Sequence, residues 1–198
     1  KDTLLPNTTH IRSTVTNTID YTTILTSVEA TKVWVDDENK AGVRPDSVDF
    51  ELYADGAKTN NIQKVNKVEN SNEWKVTFEN LNKYTEKGKE IEYSVKEVKT
   101  PDHYKKNESG LTVTNTIDYT SILTSKTATK IWNDNENRAG VRPDSIELTL
   151  VADGTVTDKK ATANAENKWT VTFEGLNKYT KDGREIEYKI TETTEPAH

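Results

Sequence analysis

One stretch of this chain is written twice, and that repetition constrains the fold more than any other feature. Thr31-Lys32-Val33-Trp34 returns as Thr129-Lys130-Ile131-Trp132, a period of 98 residues. Ala-Gly-Val-Arg-Pro-Asp-Ser, from Ala41 to Ser47, recurs unchanged at Ala139 to Ser145, and Ala54-Asp55-Gly56 recurs at Ala152-Asp153-Gly154. Trp74 to Phe78 has its counterpart at Trp169 to Phe173, where the offset is 95, so the second copy has lost three residues in a loop. Self-similarity at a fixed period is the signature of tandem structural units. A further signature, Val-Thr-Asn-Thr-Ile-Asp-Tyr from Val113 to Tyr119, closes the first copy and also stands at Val15 to Tyr21. The expected division is therefore residues 1–20 as the closing-strand remnant of a preceding repeat, 21–121 as the first repeat, and 122–198 as a second repeat lacking its last strand.

Within each copy the hydrophobic period is two. Trp74, Val76 and Phe78 alternate with Lys75, Thr77 and Glu79; Val48, Phe50 and Leu52 alternate with Asp49 and Glu51. Such alternation predicts strands with one buried face. Asp55-Gly56 and Asp153-Gly154 fit tight hairpin turns. Hydrophobic residues make up only 32% of the chain, a proportion that suits thin sandwiches burying alternate side chains. The predicted class is all-β, a tandem of immunoglobulin-like β-sandwiches.

A net charge of −6 with no basic cluster disfavours nucleic acid and anionic membrane surfaces as partners. No run is long enough to span a bilayer and Lys1 opens no signal peptide, which reads as a soluble excerpt or a mature chain. There is no cysteine, so a small exported β-domain of this kind needs some other staple.

Three polar residues break the alternation. Lys32 shares the face of Trp34, Glu97 continues the inward series Ile91, Tyr93 and Val95, and Asn115 continues Leu111 and Val113. The second copy repeats two of them, Lys130 beside Trp132 and Glu192 after Ile186, Tyr188 and Ile190. Polar groups aimed at one core are costly unless they satisfy one another. One reading is a buried Lys–Glu ion pair bonded to an Asn, or strand-end residues that reach solvent. The other is chemical. Burial favours a neutral amine, which is a nucleophile, and a neutral carboxylic acid, which can polarise an amide and move protons. The product would be a Lys32–Asn115 amide, with Glu97 as the catalytic acid.

Lys-x-Trp, Gly-x-Arg-Pro, Ala-Asp-Gly, Trp-x-x-x-Phe, Leu-x-Lys-Tyr, Glu-Ile-Glu-Tyr and the closing Val-Thr-Asn-Thr together resemble the Cna B-type repeats of Gram-positive, collagen-adhesin-like surface proteins. The resemblance implies an inverse immunoglobulin-like sandwich with a self-formed Lys–Asn isopeptide bond. It maps that bond onto Lys32 and Asn115 with Glu97, and onto Lys130 with Glu192 in the second repeat, whose closing Asn is missing. It also implies a structural stalk segment of a cell-wall-anchored adhesin, extracellular, non-enzymatic beyond one self-directed turnover, with neighbouring repeats as partners. The alternative is a ligand-binding module for a host matrix protein. The spare Asn17 raises a further expectation: Val15 to Ile19 of one copy completes the second repeat of another, head to tail, with Asn17 against Lys130.

No cofactor or metal site is expected. The acidic loop at Asp36 lacks the alternating ligands and glycine of an EF-hand, and His10, His103 and His198 have no ligand spacing. Arg44 and Arg142 are expected to form structural pairs.

Overall fold

The computed structural model describes residues 14–193. The first repeat contains β1 (Leu25–Val35), β2 (Ser47–Ala54), β3 (Ala57–Asn66), β4 (Glu73–Asn82), β5 (Tyr93–Glu97), β6 (Tyr104–Ser109) and β7 (Thr112–Ile117). Two sheets of order β4-β1-β7-β6 and β3-β2-β5 face each other. The second repeat contains β8 (Leu123–Thr129), β9 (Ser145–Ala152), β10 (Thr155–Asn164), β11 (Thr170–Asn177) and β12 (Tyr188–Glu192), ordered β11-β8 and β10-β9-β12. The molecule is a tandem of immunoglobulin-like β-sandwiches.

The period-two pattern does what it should. In β2 the side chains of Val48, Phe50 and Leu52 enter the core, and Trp74, Phe78, Val95 and Val113 meet them from β4, β5 and β7. Trp34 lies edge-on to Trp74 and Tyr104, each ring centroid 5.0 Å away. Ala54 pairs with Ala57 across the Asp55-Gly56 turn, whose φ values of 47° and 78° are the left-handed ones a two-residue hairpin requires. Asp153-Gly154 repeats that geometry between β9 and β10.

Glu51 corrects the expected alternation, being buried although it points away from the core. β2 is the central strand of its sheet, and Glu51 lies between Ile62 of β3 and Lys96 of β5, with the Lys58 ammonium 2.9 Å from its carboxylate. Long side chains on neighbouring strands cover it.

β1 and β7 run parallel, pairing Thr31–Val35 with Thr112–Thr116. β8 has no such neighbour among the described residues and stops at Thr129, so Lys130 and Trp132, expected on a strand, lie beyond its end. Ile131 is accordingly 83% exposed. Trp169 also departs from its copy: it sits at φ 59° in the shortened loop ahead of β11, whereas Trp74 is inside β4.

Thr14 to Asp20 form no strand here; Val15 and Ile19 are 86% and 62% exposed, and Asn17 is exposed. The first regular element is a single 3-10 turn, Tyr21–Thr23, capped by Asp20.

Candidate functional site

Lys32, Glu97 and Asn115 come together between the two sheets of the first repeat. Lys32 projects from β1, Glu97 ends β5 in the opposite sheet, and Asn115 projects from β7. The β1–β7 register sets Lys32 opposite Val113 and Trp34 opposite Asn115, so both side chains leave adjacent strands on the inner face. All three are buried, with exposures of 0%, 2% and 0%.

The Lys32 amine donates to Glu97 Oε1 at 2.8 Å. Asn115 Nδ2 lies 3.1 and 3.2 Å from the two Glu97 oxygens. The Asn115 carbonyl oxygen has no partner, although it is buried. An acceptor stranded in this way costs on the order of 1–3 kcal/mol. Lys32 also stands 4.5 Å above the Trp34 ring. Burial pulls the Lys32 amine down to about 8, against the opposing pull of the Glu97 hydrogen bond. A lysine so placed is far more often neutral than one in water.

Two further residues hold the acid and escaped the sequence reading. Glu108 accepts the backbone N–H of Glu97 at 3.0 Å, and the Lys106 amine donates to the Glu97 carbonyl at 3.0 Å. Lys106 and Glu108 are themselves paired at 2.8 Å on β6. They look like ordinary surface charges, and the only signal is their i, i+2 placement on the strand that pairs with β7.

The neighbouring acidic loop serves a structural pair, as expected of Arg44. Asp36 Oδ2 accepts from Arg44 Nε at 3.0 Å and from the Tyr104 hydroxyl at 2.8 Å, and Arg44 Nη2 reaches Oδ1. Burial pushes the Asp36 carboxyl up, but these bonds outweigh it and hold it below its ordinary value. Arg142 and Asp134 repeat the pair, with Nε to Oδ2 at 2.9 Å.

In the second repeat Lys130 and Glu192 meet at 2.7 Å, but their side chains remain 23% and 18% exposed. Glu192 Oε1 is buried with no partner among the described residues, whereas both Glu97 oxygens in the first repeat lie within hydrogen-bond distance of Asn115. Asn17 lies exposed in the stretch ahead of the first repeat.

The family model for the Cna protein B-type domain matches residues 28–116 and 126–198, one match per sandwich. The chain belongs to that family. It is 41% identical over 174 residues to a collagen adhesin of Staphylococcus aureus, a match covering 88% of this chain and 14% of that protein. Two solved structures are 38% identical and each cover 88% of this chain at a TM-score of 0.42: a single B repeat unit of the collagen binding surface protein of S. aureus, 88% covered, and a two-unit B1B2 fragment of it, 44% covered. The two matches make the chain two consecutive B-type domains.

Proposed function

We propose that these repeats are extracellular spacer units of a bacterial surface adhesin, and that the first is closed by an isopeptide bond between Lys32 and Asn115. The observation that carries the reading is the buried triad bridging two sheets, with one acceptor left unsatisfied. A half-turn of the Asn115 carboxamide exchanges two groups of similar shape and presents its oxygen to Glu97. A neutral Glu97 then donates to that oxygen and polarises the carbonyl carbon. The neutral Lys32 amine attacks it, the C–N bond to the Asn115 nitrogen breaks, and the proton released by lysine leaves with that nitrogen as ammonia. One N–C bond forms, one breaks, and the carboxyl group is restored.

An intact-mass measurement of the folded chain tests this. The expected result is a mass lower by one ammonia than the sequence requires, with a branched tryptic peptide joining the Lys32 and Asn115 segments. A folded chain of unmodified mass would falsify the proposal.

Among the described residues β8 pairs on one edge alone, and that supports a second step. Val15 to Ile19 carries the same sequence as Val113 to Ile117 and is exposed. On this proposal, the segment from one copy of the chain adds to β8 of another and brings Asn17 to the Lys130–Glu192 pair.

A further inference from the structure

The link between the two sandwiches is built around one tyrosine. Tyr119 opens the 3-10 turn Tyr119–Ser121 that follows β7, and it is only 6% exposed. Its hydroxyl donates to Asp37 Oδ2 of the first repeat at 2.8 Å. Its ring lies 5.3 Å from that of Tyr179 in the second repeat and rests on Gly183, where an added Cβ would come within 2.5 Å of the ring. Gly183 also has φ +81°, so both its space and its backbone suit glycine alone.

Several bonds fix the turn to both sides. Asp118 accepts from the Thr120 N–H at 3.2 Å and pairs with Lys105 at 2.7 Å. His103 Nδ1 and Ser121 Oγ are 2.9 Å apart, and the Ile122 carbonyl accepts from the Lys178 N–H at 2.9 Å. Ile122, Tyr119 and Tyr179 make an apolar layer against Ala41 and Val43 of the first repeat.

The same turn stands at the head of the first repeat, where it serves as an internal comparison. Asp20 caps it, the Tyr21 ring lies 5.7 Å from Tyr84, and a Cβ on Gly88 would come within 2.7 Å of Tyr21. Ile122 in the joint is 8% exposed, but its counterpart Ile24 is 37% exposed. Val43 packs on the joint, while its counterpart Val141 is 54% exposed. Among the described residues, each apolar position is covered where the other repeat abuts it and more exposed at its counterpart.

We propose that the Asp-Tyr-Thr turn is a locking joint that fixes the orientation of consecutive B-type repeats. We further propose that the bare half-joint at Tyr21, Ile24 and Gly88 accepts the Asn135 and Val141 end of a second copy. The chemistry recognised is an oxygen acceptor for the tyrosine hydroxyl beside a small apolar patch; Asn135 offers the acceptor where the first repeat has Asp37.

Backbone relaxation by NMR on the full chain is the test. The two wild-type repeats should share one rotational correlation time. Gly183→Ala, which drives a methyl into the Tyr119 ring, should separate them, each falling towards the value of an isolated repeat. Tyr119→Phe, which removes only the hydroxyl, should separate them partly while leaving the amide spectrum of each sandwich unchanged away from the joint. Independent tumbling in the wild type, or shared tumbling in a folded Gly183→Ala chain, overturns the joint. Spectra from dilute to concentrated protein report the bare halves: concentration-dependent shifts at Ile24, Gly88 and Val141 support docking of a second copy, and their absence overturns it.

Discussion

At Lys32 the decisive quantity is how many protons the Lys32–Glu97 pair holds. An ammonium with a carboxylate and an amine with a carboxylic acid contain the same number, so their ratio does not change with pH. The pair loses its shared proton where the Lys32 amine titrates, at about 8. Ligation through a neutral Glu97 should therefore be flat just below about 8, where the pair holds one proton, and fall roughly tenfold per pH unit above it. A Lys32 that needed no proton from Glu97 would give the opposite profile, climbing towards 8 and then levelling. Chain isolated unfolded, diluted into buffers of different pH and weighed at intervals distinguishes the two. Glu97→Gln keeps a side chain able to bond Asn115 but cannot shuttle the proton, so that variant should fold and retain its ammonia. Ammonia loss at the wild-type rate would remove Glu97 from the mechanism. The triad was legible because each member sits on a core face by period two. Lys106 and Glu108 were not, since their role depends on β6 lying beside β7 and reaching across to the other sheet.

Comparing β1 with β8 isolates what a parallel neighbour does for a strand. β1 runs for 11 residues and is held on one side by β4 and on the other by β7. β8 runs for 7 and, among the described residues, has β11 on one side alone. Its sequence is nearly that of β1, so the loss of Lys130 to Trp132 from the strand is a tertiary effect, invisible to local pattern. Trp169 is similar: the alternation of Trp169, Val171 and Phe173 reads as one strand, but the three-residue deletion turns the backbone at Lys168 and Trp169 into the left-handed region. The hairpins were legible because Asp-Gly specifies its own turn. An edge unpaired among the described residues, with a buried, unsatisfied Glu192 oxygen in the facing sheet, invites an added strand. Incubation of the chain at high concentration should therefore give a ladder on a denaturing gel, joined through Asn17 and Lys130. Asn17→Ala and Lys130→Ala should each abolish the ladder and leave the intramolecular ammonia loss untouched. A wild-type chain that stays a single band rules the donation out.

For the whole molecule the consequence of the proposed bond is where force travels. A pull on the chain ends enters the first repeat near Leu25 and leaves near Ile117, and Lys32 and Asn115 lie close to those two points. A covalent link between them carries the load directly, so the 83 positions from Lys32 to Asn115 are never stretched. By analogy with disulfide loop closure, the link also raises equilibrium stability by on the order of 4–5 kcal/mol. The kinetic effect is the larger one, because the strands between the linked residues cannot be drawn out at all. In single-molecule pulling, the Glu97→Gln chain should show a release of roughly 280 Å from the first repeat, the contour length of those positions. The wild-type chain should lack that step under the same load, and the short segments outside the link, Leu25 to Thr31 and Thr116 to Ile117, set the most it can give. A wild-type trace with the full-length step means that the first repeat carries load through its hydrogen bonds alone, and the spacer reading then loses its covalent basis.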